Sequence, residues 1–164
     1  MKTENLVIVG MADMNVLSDI GVLKTAGLGS CVGVTLYDPV TKAAGMAHIM
    51  LPSSTIAKEG TLNRAKYADT AIPELIERMR RIGASVSRLE AKLAGGAQMF
   101  AFHTSSDLMR IGPRNVEMCK YMLEQYSIPV KGEDTGGYVG RTIEFYNATG
   151  VMVLRTAKQG VKEI

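Results

Sequence analysis

Cys31-Val32-Gly33-Val34-Thr35-Leu36-Tyr37-Asp38-Pro39 is a run of β-forming residues that stops on a turn signal. Beyond the turn, Ala43 to Leu51 runs back as a second apolar stretch and stops at Pro52. The two stretches predict a β-hairpin. A hairpin brings the residues at its open end together, and here those ends carry Cys31 on one strand and His48 on the other.

Outward from the hairpin, Leu6-Val7-Ile8-Val9 reads as a short buried strand, and Val22 to Ala26 as a weaker one ended by Gly27-Leu28-Gly29. The period then changes. Ala68, Ala71, Ile72, Leu75, Ile76, Met79 and Ile82 recur at steps of three and four, which marks one buried helical face stopped by Gly83. Pro73 conflicts with that helix, because it removes an N–H and should kink or shorten the element. Arg88 to Ala94 alternates like a strand and ends at Gly95-Gly96. A second helix is expected from Pro113, with Val116, Cys119, Met122, Leu123 and Tyr126 as its apolar face. Strands follow at Pro129 to Gly132, Arg141 to Tyr146 and Val151 to Thr156, the last two joined by Asn147-Ala148-Thr149-Gly150. This order predicts an α+β class, mostly β with two inserted helices, in a single domain over residues 1–164.

Composition narrows the function classes. A hydrophobic content of 46% with a net charge of only +3 argues for a packed core rather than disorder. The densest basic cluster, Arg78, Arg80 and Arg81, shares its helix with Glu74 and Glu77, so no one-sided stripe for nucleic acid exists. The charge-free stretches Thr25–Tyr37 and Ala43–Ala57 fall short of the roughly 18 residues of a membrane span. Met1 to Asn5 lacks the shape of a signal peptide. Two cysteines are too few for a disulfide scaffold, so the expectation is a reduced, cytoplasmic protein.

Cys31 follows Gly27-Leu28-Gly29-Ser30, a turn that can give a thiol access and can point backbone amides at a developing oxyanion. The amides of Gly29, Ser30 and Cys31 are the candidate donors. The alternative is an inert buried cysteine. His48 stands as the base such a thiol needs, or else as a core histidine among Met46, Ala47, Ile49 and Met50. Thr25 is a third candidate, because an imidazole base needs a group that holds its orientation and a hydroxyl can do so. Its alternative is an ordinary β-forming threonine. Competing motifs fail. Val32 stands where a dinucleotide loop needs glycine, and no phosphate-loop Gly-Lys-Ser/Thr occurs. Cys31, His48, His103 and Cys119 match no paired zinc spacing, so neither metal nor cofactor is expected.

Thr25-Ala26-Gly27-Leu28-Gly29-Ser30-Cys31-Val32 resembles the signature of the CheD family, and Gly45-Met46-Ala47-His48-Ile49-Met50-Leu51-Pro52 resembles that family's histidine segment. Further likenesses are Lys66 to Ala71, Ala94-Gly95-Gly96-Ala97, Ile111 to Val116 and Glu133-Asp134-Thr135-Gly136-Gly137. The resemblance runs from about Val9 to about Arg155. It implies a layered α/β/β sandwich and a protein-glutamine glutaminase that converts glutamines of chemoreceptors to glutamate. It also implies Cys31 as nucleophile, His48 as base, Thr25 in support, a thioester intermediate, and binding to the phosphatase CheC. Hydrolysis of methyl-glutamate esters is a plausible side reaction of the same chemistry. For partner contact, Phe102 in Met99-Phe100-Ala101-Phe102 is a candidate, although the same run could equally pack inward.

Overall fold

The computed structural model describes residues 5–56, 62–98 and 110–164. Sequence order runs β1 (Asn5–Ile8), β2 (Met14–Leu17), β3 (Gly21–Leu28), β4 (Val32–Tyr37), β5 (Ala44–Ile49), α1 (Ala68–Arg81) and β6 (Glu90–Gly95). It continues with α2 (Ile111–Gln125), β7 (Val130–Thr135), β8 (Arg141–Tyr146), β9 (Val151–Thr156) and β10 (Gly160–Glu163). One sheet has the order β1-β3-β8-β9-β10 and the other β2-β5-β4-β6-β7.

The hairpin lies at the centre of the second sheet, and every residue of β4 and β5 is buried. That explains why these strands read as continuous apolar runs rather than as alternating ones. Alternation persists in what each face touches. Val32, Val34 and Leu36 pack with Ala68, Ala71, Ile72, Leu75, Met79, Cys119 and Leu123 on the helical side. Cys31, Tyr37, Ala44, Met46 and Ala94 pack with Leu23, Leu28, Ile143, Phe145, Met152 and Leu154 of the other sheet. The layers are therefore helices, middle sheet and outer sheet, the α/β/β sandwich that the resemblance implies. Tyr37 meets Phe145 edge-on across the two sheets, with ring centroids 5.3 Å apart. Its hydroxyl donates to the Asn147 carbonyl at 2.6 Å.

Pro73 does not shorten α1, which runs unbroken over 14 residues. One lost backbone bond is outweighed by a face on which Ala68, Ala71, Ile72, Leu75, Ile76 and Met79 are all buried. The expected apolar face of α2 needs correction. Tyr126 lies at the helix end and is exposed, whereas Gly112 and Asn115 are buried with Cys119 and Leu123. Two four-residue edge strands, β2 and β10, were not anticipated from the sequence.

The hairpin turn is fixed by Asp38, whose side chain is fully buried. Its carboxylate accepts the Val40 and Ser85 amides at 2.9 Å each and pairs with Arg88 at 2.8 Å. Burial opposes ionisation of this carboxyl, but the Arg88 guanidinium and the Ser85, Val40 and Thr41 amides outweigh it. They hold the group well below the usual carboxylate range. Because the folded-state pKa is depressed, this stabilisation is present above about pH 4 and is lost as pH falls further. Asp38→Asn should lower stability at neutral pH by about 2 kcal/mol. The gap to the unsubstituted protein should close below about pH 4 in urea unfolding across pH. A gap that stays constant with pH would show that the ion pair contributes nothing.

Candidate active site

Cys31 sits where the chain crosses from the outer sheet to the middle one, between β3 and β4. Gly27, at φ 73°, supplies the left-handed conformation that lets β3 shift register between Thr25 and Leu28 before the crossing. In the hairpin, Gly33 pairs with His48 and Val32 with Ile49. Cys31 is two residues before Gly33, so by strand parity its side chain and that of His48 share a face and are diagonal neighbours. That face looks into the space between the sheets. A Cβ at Gly33 would lie 2.6 Å from Ile143 Cδ1, so glycine there lets the outer sheet close over the pair.

Thr25 reaches the site from the opposite sheet. Its Oγ1 lies 2.7 Å from His48 Nδ1 and 2.6 Å from the Val9 carbonyl oxygen. Thr25 is 1% exposed and His48 is 0% exposed, so neither group can exchange its partner for solvent. A hydroxyl has a single proton. With that proton given to the Val9 carbonyl, Oγ1 can only accept from the imidazole. Nδ1 therefore carries the histidine proton and Nε2 holds a free lone pair. Nε2 is buried and has no hydrogen-bond partner among the described residues. The chain Val9–Thr25–His48 thus sets the tautomer that a general base needs. The structure brings Thr25 and His48 into hydrogen-bond contact, and the strand register places Cys31 on the same inter-sheet face as His48.

The electrostatics favour neutral partners at rest. Burial pushes the Cys31 thiol above its ordinary value, opposed in part by its own backbone amide. Burial likewise pushes His48 down. Both shifts favour the neutral forms, a thiol and a neutral imidazole, over a thiolate and an imidazolium. Cys119 packs on the helical side of the middle sheet, away from Cys31, and its thiol is pushed up to about 12 by burial. Cys31 and Cys119 therefore lie on opposite faces of the middle sheet and do not converge.

Among the three candidate oxyanion donors, the Gly29 amide is engaged inside the turn, donating to the Gly27 carbonyl at 3.1 Å. The amides of Ser30 and Cys31 donate to no backbone carbonyl among the described residues. The Cys31 carbonyl accepts from Gly96 and the Gly29 carbonyl from Ala97, each at 2.9 Å, which anchors the turn to the end of β6. Gly95 makes that approach possible. At φ 108° its position favours glycine, and a Cβ there would run into the Cys31 carbonyl oxygen.

Two buried polar residues beside the site escaped the sequence reading. Arg141 donates to Asp134 at 2.8 Å, to the Gly136 carbonyl at 2.9 Å and to the Gly95 carbonyl at 3.3 Å. It thereby ties the Gly136-Gly137 loop to the strand end beneath Cys31. Asn115, on α2, donates to the carbonyls of Ser30 and Met50. A polar residue in line with Cys119 and Leu123 at helical spacing was the available signal for Asn115. Phe102 and His103 lie outside the described residues.

Comparison with known proteins bears on this site. The model of the CheD family, described as CheD chemotactic sensory transduction, matches residues 50–156. A chemoreceptor glutamine deamidase CheD from Halalkalibacterium halodurans is 56% identical over 160 residues, covering 98% of this chain and 99% of that protein. The protein of the same name from Bacillus subtilis is 50% identical, covering 99% of this chain and 98% of its own length. A probable chemoreceptor glutamine deamidase CheD from Geobacillus kaustophilus is 53% identical, with both chains covered in full. Thr25, Cys31 and His48 fall before the stretch matched by the family model, but that last alignment spans them. Among solved structures, the hypothetical protein YfiH of Bacillus licheniformis shares the fold, with a TM-score of 0.51 and 14% identity. That likeness covers 76% of this chain and 51% of YfiH.

Proposed function

The chain belongs to the CheD family, and from that premise we propose that it is a chemoreceptor glutamine deamidase with Cys31 as nucleophile and His48 as base. One observation carries the reading: the Val9–Thr25–His48 hydrogen-bond chain leaves a buried Nε2 lone pair on the strand beside a lone cysteine. The names borne by the full-length relatives supply the substrate class.

The chemistry follows from the resting state. Nε2 takes the Cys31 proton as Sγ attacks the carboxamide carbon of a glutamine side chain, so charge separates only when substrate is present. The carbonyl oxygen becomes an oxyanion, received by the Ser30 and Cys31 amides; one such donor is worth about 3–4 kcal/mol of barrier. Nε2–H then protonates the departing nitrogen, ammonia leaves, and a thioester remains on Cys31. Nε2 next deprotonates water, which attacks the thioester. Glutamate departs and the thiol regains its proton. A methyl-glutamate ester would follow the same course, with methanol in place of ammonia.

Thr25 acts through His48 and is a positioning residue. Thr25→Val keeps the shape but leaves Nδ1–H without an acceptor, and kcat should fall by about 100-fold with KM little changed. Thr25→Ser should restore most of the loss. Equal activity in the valine variant would remove Thr25 from the site.

Mass spectrometry of a receptor cytoplasmic fragment incubated with the protein tests the whole reading. Specific glutamines should become glutamates, and none should do so with a Cys31→Ala or His48→Ala variant. A second reading, an adaptor that binds receptor and CheC with turnover secondary, draws support from the thiol itself. Cys31 is only 8% exposed, and burial disfavours its thiolate. Receptor binding without conversion would select that reading. CheC binding rests on the family resemblance, a contact at Phe102 on its place in an apolar run, and a cytoplasmic location on the low cysteine count; no helix among the described residues is long and apolar enough to cross a membrane.

A further inference from the structure

Asn115 is fully buried on α2, and its amide nitrogen donates to the Ser30 and Met50 carbonyls at 2.9 Å each. Ser30 precedes Cys31, and Met50 follows the strand that carries His48. The ladder has ended at this point: the Met50 and Leu51 amides both turn away to the Lys66 carbonyl. One carboxamide from a third element therefore closes the open end of the hairpin. Both of its N–H donors are used, and its oxygen is buried without a partner among the described residues, as is His48 Nε2.

The Ser30 carbonyl and the Cys31 amide belong to one peptide plane, and in a trans peptide they point in opposite directions. No cis peptide occurs among the described residues. Holding the Ser30 oxygen toward α2 therefore turns the Cys31 N–H away from α2. That N–H donates to no backbone carbonyl among the described residues.

We propose that Asn115 is a positioning residue for the oxyanion: by pinning the Ser30 carbonyl it aims the Cys31 amide at the carbonyl oxygen of whatever Cys31 attacks. The proposal rests on Cys31 as nucleophile. It does not depend on which carbonyl compound is the natural substrate.

Two reactions of the same thiol separate this role from a general structural one. Acylation by p-nitrophenyl acetate passes through an oxyanion, whereas alkylation by iodoacetamide does not. In Asn115→Ala, assayed below its melting temperature, acylation of Cys31 should slow by about 100-fold while the alkylation rate and its pH profile stay as in the unsubstituted protein. Asn115→Ser, which can still donate once to the Ser30 carbonyl, should recover part of the acylation. Parallel loss of both reactions, or loss of neither, would overturn the proposal. If neither variant melts cooperatively, the tie is an element of the fold and the proposal also fails. Rapid acylation of the unsubstituted protein without deamidation of receptor would instead count against the deamidase reading alone.

Discussion

Cys31→Ala should abolish glutamine conversion, by on the order of a million-fold, because on the proposed mechanism every step from attack to thioester hydrolysis passes through its sulfur. The same substitution removes one atom at a site 8% exposed, so it should cost only about 1 kcal/mol of stability. Binding to a receptor fragment should therefore survive, as should any binding to CheC that the family resemblance implies. Turnover measured beside binding by calorimetry separates enzyme from adaptor. If binding falls together with turnover, catalysis and docking share one surface and the two roles are not separable. If turnover survives, Cys31 is not the nucleophile.

His48→Ala should lower kcat by on the order of 10,000-fold, the scale seen when an acyl-transfer base is lost or wrongly protonated. The unsubstituted protein should show a turnover profile whose acid limb lies below pH 6.5, since burial pushes the imidazole down and only its neutral form can accept the thiol proton. Alkylation should behave differently. It follows thiolate, and with the thiol pushed above 9.0 it should climb through the alkaline range in both proteins. An alkylation plateau already present at pH 6 in the unsubstituted protein would reveal a thiolate–imidazolium pair and refute the neutral resting state.

The hairpin was legible because its two strands lie close in sequence, end at strong turn residues and carry no charge until Asp38. Strand parity then sets Cys31 beside His48 without reference to anything distant. From the residues, Thr25 could be read only as a candidate beside an ordinary β-forming threonine, because its geometry depends on two non-local events. β3 must pair with β1 and β8 to present Thr25 inward, and the sheets must dock to bring Oγ1 to the imidazole. Val9 was read as part of a strand, not as the acceptor that decides a tautomer. Asn115 was missed for a different reason. The start of α2 packs on backbone rather than on side chains, and a Cβ at Gly112 would strike the Ala97 carbonyl. Apolar periodicity is blind to such a contact, so the face was drawn too far toward Tyr126. The short strands β2 and β10 have too few residues to show a period.

The imidazole belongs to one sheet and the hydroxyl that orients it to the other, which makes reactivity a property of the finished molecule. A chain with the hairpin formed but β8 and β9 not yet in place would carry Cys31 and His48 side by side with the base free to protonate at either nitrogen. Newly made or partly unfolded chains would then hold a dormant thiol. The hydrogen bond between the sheets works as an interlock: on the proposed mechanism, only a copy that has passed through complete assembly holds its base in the reactive tautomer.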